Sequence, residues 1–277
     1  MKTRRITSSR RISMVIAVLL FLDGPRLLMA EPTRAAVAAF SAYCRAVEAR
    51  LAQQHRSSGT FIMLASGDPQ QERSRLRQGE LVVEEVSEQA ARPADAALSG
   101  AMLRHWRGTA FVRGATPADF ERLMRDFDAY PKYFAPQVLA AKTLSTNRDD
   151  SHAWMRVRQR HVITVVMDST YDITYGQLDA RHGYSISRST RIDEMEAAGD
   201  GSERALSSEE EHGFLWRLNT YWSYEERDGG LYLQIESVSL SRSIPRGLGW
   251  AIGPFVESVP RQSLEFTLRS ACNALRR

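Results

Sequence analysis

Six strand-like segments in a row, followed by one long helical segment, occupy the second half of this sequence. The six segments lie near residues 139–145, 152–161, 162–175, 184–192, 214–225 and 231–240. In the second segment Ala153, Met155 and Val157 alternate with arginines, which is typical of a strand with one buried and one solvated face. Strands that are joined by short turns pair with each other in antiparallel fashion. We therefore expect an antiparallel sheet whose apolar face must be covered by another element.

The C-terminal helical segment is the candidate for that cover. Its main apolar stripe recurs every three or four residues and consists of Leu264, Leu268, Ala271, Cys272 and Leu275. Phe266 falls on roughly the opposite side of the same helix. A surface helix normally buries one stripe only. We expect one side of the helix to lie on the sheet and the other to contact a second element, for which a helix predicted at 33–55 is the candidate.

The N-terminal part of the sequence predicts fewer regular elements. The helix at 33–55 has Thr33 as its candidate N-cap. Short strands are expected over 60–65 and 80–86, with a polar linker between them. An Ala-rich link around Pro93 then leads to the main body of the chain.

The main body begins with a strand and a helix that have clear signals. Residues 101–114 alternate, and the apolar residues that share one face are Met102, Trp106, Ala110 and Val112. A helix follows, with Thr116 as its cap and Pro117 at its first position. Pro131 and Pro136 divide this region into a main helix and a short aromatic turn.

This order of elements resembles the helix-grip fold of START-like domains, a superfamily that includes lipid-transfer domains and polyketide cyclases and aromatases. The stretches that support the resemblance are "FERLMRDFDAYPKYFAPQV" and "YWSYEERDGGLYLQIE". It covers residues 101–277, whereas the extension at 31–100 and the acidic insertion at 194–211 have no counterpart in a minimal domain. The resemblance implies an α+β fold in which a curved antiparallel sheet of about seven strands wraps around the long C-terminal helix.

The resemblance also implies an apolar cavity between sheet and helix, which would hold a hydrophobic small molecule such as a lipid, sterol or polyketide. The residues expected to line it are Met155, Val157, Tyr171, Arg191, Trp216, Thr220, Trp222, Glu236, Trp250 and Phe255. Glycines at 247, 249 and 253 could form a flexible lip. For Glu236 we favour an ion pair with Arg217 or Arg191 over a cavity acid.

Two other functions remain open from the sequence. A cyclase-type enzyme could use the same cavity with Glu236, Arg191 and Tyr171 as its polar groups. A structural module would instead fill the cavity with its own side chains and use residues 31–100 as an assembly surface. The sequence contains no hydrolase, zinc-protease, Walker or dinucleotide motif, and its six histidines have no metal-ligand spacing. We therefore predict no catalytic residue, metal or cofactor, and the sequence defines no oligomeric state.

The basic charge of the chain is concentrated in its leader. The sequence has 37 basic and 33 acidic residues, of which six basic residues and one acidic residue lie within 1–30. The remainder has 31 basic and 32 acidic residues, so it lacks the excess positive charge that nucleic-acid binding requires. The arginines at 156, 158 and 160 form a solvated strand face and leave open a transient contact with a membrane surface.

The leader itself has the anatomy of a signal peptide. A basic start precedes an apolar run from Ile12 to Leu22, a Gly-Pro break and Ala30, after which we expect cleavage. The alternative is an uncleaved membrane anchor. Export to the periplasm or the medium would permit a disulfide between Cys44 and Cys272, the alternative being two buried free thiols.

Overall fold

A computed structural model describes residues 31–64, 68–160, 164–196, 202–243 and 249–276, with the side chains of Ala90 and of 249–257 left aside. The leader and its expected cleavage site lie outside these residues. The helices are α1 (Arg34–Gln54), α2 (Pro69–Arg77), α3 (Pro117–Arg125), α4 (Tyr130–Tyr133) and α5 (Gly249–Leu275). The strands are β1 (Val82–Glu85), β2 (Ala101–Arg113), β3 (Val138–Thr146), β4 (Asp150–Arg160), β5 (Thr164–Asp179), β6 (His182–Glu196), β7 (Arg204–Ala205), β8 (Arg217–Arg227) and β9 (Gly230–Arg242).

All the described strands form one antiparallel sheet in the order β1-β2-β9-β8-β6-β5-β4-β3, and β7 pairs with β6. The early strand β2 pairs along its whole length with the last strand, from Ala101 opposite Arg242 to Arg113 opposite Gly230. We call the end of the sheet at Arg242 the lower rim and the end at Gly230 the upper rim. The α+β fold expected from the sequence is confirmed, with nine strands in place of about seven.

Local sequence explains the best-defined turns. The β8–β9 hairpin turns through Asp228 and Gly229, whose φ angles of 57° and 75° match the two-residue turn that Asp-Gly favours. At the start of α3, Thr116 accepts from the Asp119 amide while the Asp119 carboxylate accepts from the Thr116 amide, a complete capping box. These signals place α3 at the upper rim, directly after β2.

Helix α5 covers one face of the sheet, which we call the inner face. It contacts β2 most extensively and reaches β1, β9, α3 and α4 as well. A Cβ atom on Gly108 of β2 would lie only 3.1 Å from Leu264 Cδ2, so helix and strand meet there in close contact. Phe266 packs against the same inner cluster as Leu264. The second contact of α5 is therefore with α3 and α4, and the expectation that α1 provides it is wrong.

Helix α1 lies on the opposite, outer face. Its buried stripe forms a separate cluster with residues of β8 and β9, namely Ala36, Phe40, Tyr43, Cys44, Val47 and Leu51 with Tyr221, Val238 and Leu240. Strand β9 makes this possible, since Leu233 and Ile235 face inward while Val238 and Leu240 face outward, and all four are buried. The aliphatic residues of β9 change from odd to even positions after Ile235, because those before this point pack in the inner cluster and those after it pack in the outer cluster.

Cys44 and Cys272 lie in the outer and the inner cluster respectively, and both are free and buried. The sheet lies between them, which rules out the disulfide that export would have permitted. Burial raises the pKa of Cys44 to about 12 and that of Cys272 to about 11. Both side chains are therefore packed as small neutral groups.

Three local expectations differ from the structure. Residues 60–64 form bends and not a strand, and the polar linker after them contains helix α2, which Asp68 caps. The expected Gly-rich lip is partly helical, because Gly249 opens α5 and Gly253 lies inside it, while Gly247 falls outside the described residues. None of the helices that the structure describes has the length and hydropathy needed to cross a bilayer.

The close contact at Gly108 can be tested by enlarging the residue. Gly108→Val should lower the free energy of unfolding by about 1–3 kcal/mol, because added methyl groups push Leu264 and Leu268 away from β2. Urea unfolding followed by circular dichroism measures this loss. Gly59→Val is the matched control, since Gly59 is exposed and its added Cβ would have only an ordinary contact with Ser57. Equal effects of the two substitutions would contradict the helix–sheet contact.

Candidate functional site

The inner face changes character between the two rims. Toward the upper rim it is closed by the packed cluster that includes Trp222 and Ile173. Toward the lower rim most inward-facing side chains are small or apolar and half buried, namely Met102, Trp106, Met155, Val157, Ser187, Ser189, Leu218, Thr220, Ser237 and Ser239. We call this set the lower wall. Arg104 faces the same side between Met102 and Trp106 and pairs with Glu85, while Met167 and Ser169 are buried.

Strand β9 ends at the lower rim, and α5 begins at Gly249, only a short connection later. We therefore expect the first half of α5 to lie near the lower wall.

A row of hydroxyl groups crosses the lower wall. Ser187 on β6 lies opposite Thr220 on β8, and Thr220 lies opposite Ser237 on β9. Ser237 in turn lies opposite Trp106 on β2, whose indole Nε1 is buried without a hydrogen-bond partner. Among the described residues the three hydroxyls have no hydrogen-bond partner either. Half-buried polar groups of this kind are normally satisfied by a ligand or by ordered water.

Five of the expected cavity residues lie on the inner face. Met155, Val157 and Thr220 belong to the lower wall and are half buried. Tyr171 and Trp222 are buried in the inner cluster, and burial raises the pKa of Tyr171. These two side chains belong to the packed cluster that closes the inner face between the lower wall and the upper rim.

Three other expected cavity residues lie elsewhere, and Trp250 and Phe255 have side chains outside the described residues. Trp216 precedes β8 and packs in the outer cluster against α1, so it does not share a face with Trp222. Arg191 is exposed and pairs with Asp193. Glu236 lies on the outer face and is 1% exposed.

Glu236 is the centre of a polar network between α1 and the sheet. Its Oε2 atom accepts from Arg50 Nη2 at 2.5 Å and lies 2.9 Å from His105 Nε2. An ion pair was the favoured role for Glu236, but its partners are Arg50 and, at 3.7 Å, Arg107, whereas Arg217 and Arg191 do not take part. Burial raises the pKa of Glu236, while the His105 hydrogen bond and the Arg50 charge outweigh burial and lower it to about 2.

The network continues through His105 to Tyr43. The Glu88 amide donates to Tyr43 Oη at 2.8 Å, and Tyr43 Oη is hydrogen-bonded to His105 Nδ1 at 3.1 Å. Because the Glu236 carboxylate can only accept, His105 Nε2 donates to it. A carboxylate, an imidazole and a hydroxyl in series resemble a catalytic triad. However, Tyr43, His105 and Glu236 are each at most 2% exposed, so no substrate can reach them. The network attaches α1 to the sheet.

Fold and site together define a class of protein. One antiparallel sheet lies against a long C-terminal helix, with two short helices after the first long strand and a half-buried inner wall below the packed cluster. This arrangement is a helix-grip architecture, so the fold class that the sequence analysis expected is confirmed.

No protein-family model and no curated protein matches the chain. Among solved structures, a STAR-related lipid transfer protein from Xanthomonas axonopodis is similar over 72% of this chain and 99% of its own, with 17% identity and a TM-score of 0.43. The Zhui aromatase/cyclase from a Streptomyces species is similar over 64% and 95%, with 15% identity and a TM-score of 0.42. A START superfamily protein from Mycobacterium smegmatis is similar over 64% of this chain and 97% of its own, with 13% identity and a TM-score of 0.39. At such scores the likeness carries no argument about what this protein binds.

Sequence reasoning placed Thr220 in the cavity but missed Ser187, Ser237 and Trp106 as parts of the wall. The signal was present in "SISRS" and "ESVSLS", where serine occupies every second position of a predicted strand. Alternation shows that these serines share a face. It does not show which face, and only the packing of α1 and α5 on opposite sides decides that.

Removing the Glu236 carboxylate should lower the free energy of unfolding and change how that free energy depends on pH. Because the folded pKa is below the value of a free Glu, the network stabilises the fold above about pH 4–5, and this stability is lost as pH falls toward 2. Glu236→Gln should cost about 1–3 kcal/mol at neutral pH, since Arg50 keeps only its pair with Glu88 and His105 loses a charged acceptor, and should flatten the loss between about pH 5 and 2. Urea unfolding across this range measures both effects.

The matched control is Glu80→Gln, which removes a carboxylate from the exposed pair with Arg75. It should change stability far less at every pH, because solvent screens that pair. A Glu236→Gln protein with wild-type stability would contradict the role of the network.

Proposed function

We propose that this protein binds a hydrophobic small molecule, of the lipid, sterol or polyketide kind, between the lower wall and the first half of α5, and acts as its carrier. The observation that carries the proposal is the lower wall itself. Its side chains face the side of the sheet that α5 covers, yet they are half buried while those of the cluster above them are closed. A wall of this kind is what an apolar ligand needs to be taken out of water.

The composition of the wall suggests how a ligand would be held. Trp106, Met155, Val157 and Leu218 offer apolar surface, and burial of about 250 Å² of apolar ligand area would contribute about 6 kcal/mol. The hydroxyl row supplies donors and acceptors in the middle of that surface. The proposed ligand is therefore mainly apolar and has a polar oxygen, such as a hydroxyl or carbonyl group, along its length.

A carrier is favoured over a cyclase-type enzyme by the positions of the three candidate polar groups. Glu236 faces outward and is part of the α1 network, and Arg191 is exposed. Only Tyr171 lies on the inner face, where burial raises the pKa of its hydroxyl and keeps it neutral. The groups proposed for a cyclase therefore do not converge on one substrate. The assembly-surface alternative is also disfavoured, since α1 packs its apolar stripe against this sheet.

Export is part of the proposal and rests on the leader alone. The basic start, the apolar run from Ile12 to Leu22 and the small residue Ala30 are those of a secretory signal. We propose that the carrier works in the periplasm or outside the cell, where an apolar compound needs a protein to cross an aqueous space.

Ligand binding can be tested by filling the lower wall. Mass spectrometry of organic extracts should detect a copurifying apolar compound in the gently purified wild-type protein. Thr220→Trp should lower its yield about tenfold, a change of about 1.4 kcal/mol in binding free energy, because an indole would occupy the centre of the hydroxyl row. Thr170→Trp is the matched control, since Thr170 is a half-buried threonine of the same sheet that faces outward. Equal yields from both variants, or no compound in the wild type, would contradict the proposal.

Export can be tested by expression of the full chain in a Gram-negative host. The mature protein in the periplasmic fraction should begin with Glu31, as read by N-terminal sequencing and intact mass. Ala30→Arg should retain the leader, because signal peptidases require a small residue at this position. Recovery of the unprocessed chain from the wild-type gene would show an anchor or an internal protein instead.

A further inference from the structure

A concave site lies at the upper rim, away from the lower wall. It is a cleft of about 260 Å³ between α3, the turn joining β3 to β4, and the upper ends of β5, β6 and β8. We call it the upper cleft. Its apolar surface comes from Phe120, Met124, Tyr175 and Tyr224. Its volume suits a molecule smaller than a typical drug-sized ligand.

The packed inner cluster separates the upper cleft from the lower wall. Phe120 contacts Trp222 edge to face, with ring centroids 5.3 Å apart, and Trp222 is 5% exposed. Ile173, on the neighbouring part of β5, is 4% exposed. Any ligand of the upper cleft is thus distinct from the ligand proposed for the lower wall.

Arg125 gives the upper cleft a positive charge that no described residue neutralises. Several half-buried arginines of the sheet have a carboxylate at the guanidinium, as Arg107 has Glu84 and Arg188 has Glu48. Arg125 is half buried as well, but it has no hydrogen bond or ion pair within the part of the chain that the structure describes. A guanidinium in a concave site with its N–H groups unused is the usual partner of a carboxylate or a phosphate.

The structure holds this guanidinium in place without neutralising it. Arg125 Cζ lies 3.9 Å from the centroid of the Tyr175 ring, and Tyr175 Oη donates to the Met124 carbonyl at 3.3 Å. Glu121 is one helical turn before Arg125 and could pair with it. Instead, Glu121 Oε1 accepts from both Tyr224 Oη and Gln177 Nε2.

The other charges at the upper cleft limit the ligand to one negative charge. Arg148 and Asp149, both exposed on the β3–β4 turn, contribute one charge of each sign. Glu121 adds a second carboxylate to the lining. Two carboxylates beside a phosphate dianion would repel it, whereas a carboxylate with a single charge can pair with Arg125.

We propose that the upper cleft binds a small organic carboxylate whose apolar part rests on Phe120, Met124 and Tyr224 and whose carboxylate pairs with Arg125. The binding energy comes from a bidentate pair with the guanidinium edge together with burial of a small apolar or aromatic body. This site is independent of the carrier function proposed for the lower wall.

Benzoate is the test probe, with benzamide as a neutral molecule of the same shape and inorganic phosphate as the alternative anion. Methionine methyl groups of the full chain are followed by ¹H–¹³C NMR during titration, and their signals are assigned with Met124→Leu and Met155→Leu. Met124 lines the upper cleft and Met155 belongs to the lower wall. Benzoate should shift the Met124 signal and leave Met155 unchanged.

Substitutions then identify the cation. Arg125→Gln should weaken benzoate binding about tenfold or more, and Arg125→Lys should weaken it less, since lysine keeps the charge but loses the bidentate geometry. Arg122→Gln is the matched control, because Arg122 lies on the same helix but is exposed and paired with Asp119. Circular dichroism and the unperturbed Met155 signal verify that each variant is folded.

Four outcomes would overturn the proposal. They are equal binding of benzamide and benzoate, unchanged binding in Arg125→Gln, stronger binding of phosphate than of benzoate, and a shift of Met155 in place of Met124. The last outcome would place the carboxylate on the lower wall and would leave the carrier proposal standing. A failure of the ligand-extraction experiment would not affect the Met124 result.

Discussion

Strand β9 is buried on both faces, and the rest of the structure depends on this double burial. It pairs with β2 on one side and β8 on the other, so its backbone polar groups are used within the sheet. Its inward residues pack in the cluster that contains α5, and its outward residues pack in the cluster that contains α1. A sheet covered on one face only would leave the apolar outward side of β9 in water. The N-terminal extension is thus a structural part of this fold.

The division of the sheet into two covered faces also separates two kinds of polar chemistry. On the outer face Glu236, His105 and Arg50 satisfy one another in a closed network that fastens α1 to the strands. On the inner face the hydroxyls of Ser187, Thr220 and Ser237 have no partner within the described residues. Satisfied buried groups stabilise a fold, whereas unsatisfied groups in a concave wall are available to a ligand. This contrast supports placing the binding function on the inner face.

Much of the fold could be predicted because its signals are local. Alternation in β2 and β4, the capping box at Thr116 and the Asp-Gly turn each act over a few residues, and the order of elements followed from them. Helix α2 was missed because only Leu76 and Glu72 of its polar sequence are buried, so it carries almost no apolar period. The site was harder to predict. Trp216 was expected in the cavity, but it precedes β8, so the alternation of that strand does not extend to it. Glu236 was expected there from the resemblance, and only the packing of α1 shows that its side of β9 faces outward.

The sequence by itself determined the long strands of the main body, that they pair in antiparallel fashion and that a long apolar helix ends the chain, because hydrophobic period and turn chemistry are properties of neighbouring residues. Only the tertiary structure decided that α1 lies outside and α5 inside, that Cys44 and Cys272 are separated by the sheet, and that Arg125 has no carboxylate partner among the residues that the structure describes. These facts depend on which distant segments meet across the sheet. Contacts of that kind arise from competition among all the apolar surfaces of the molecule, and no local pattern contains its outcome.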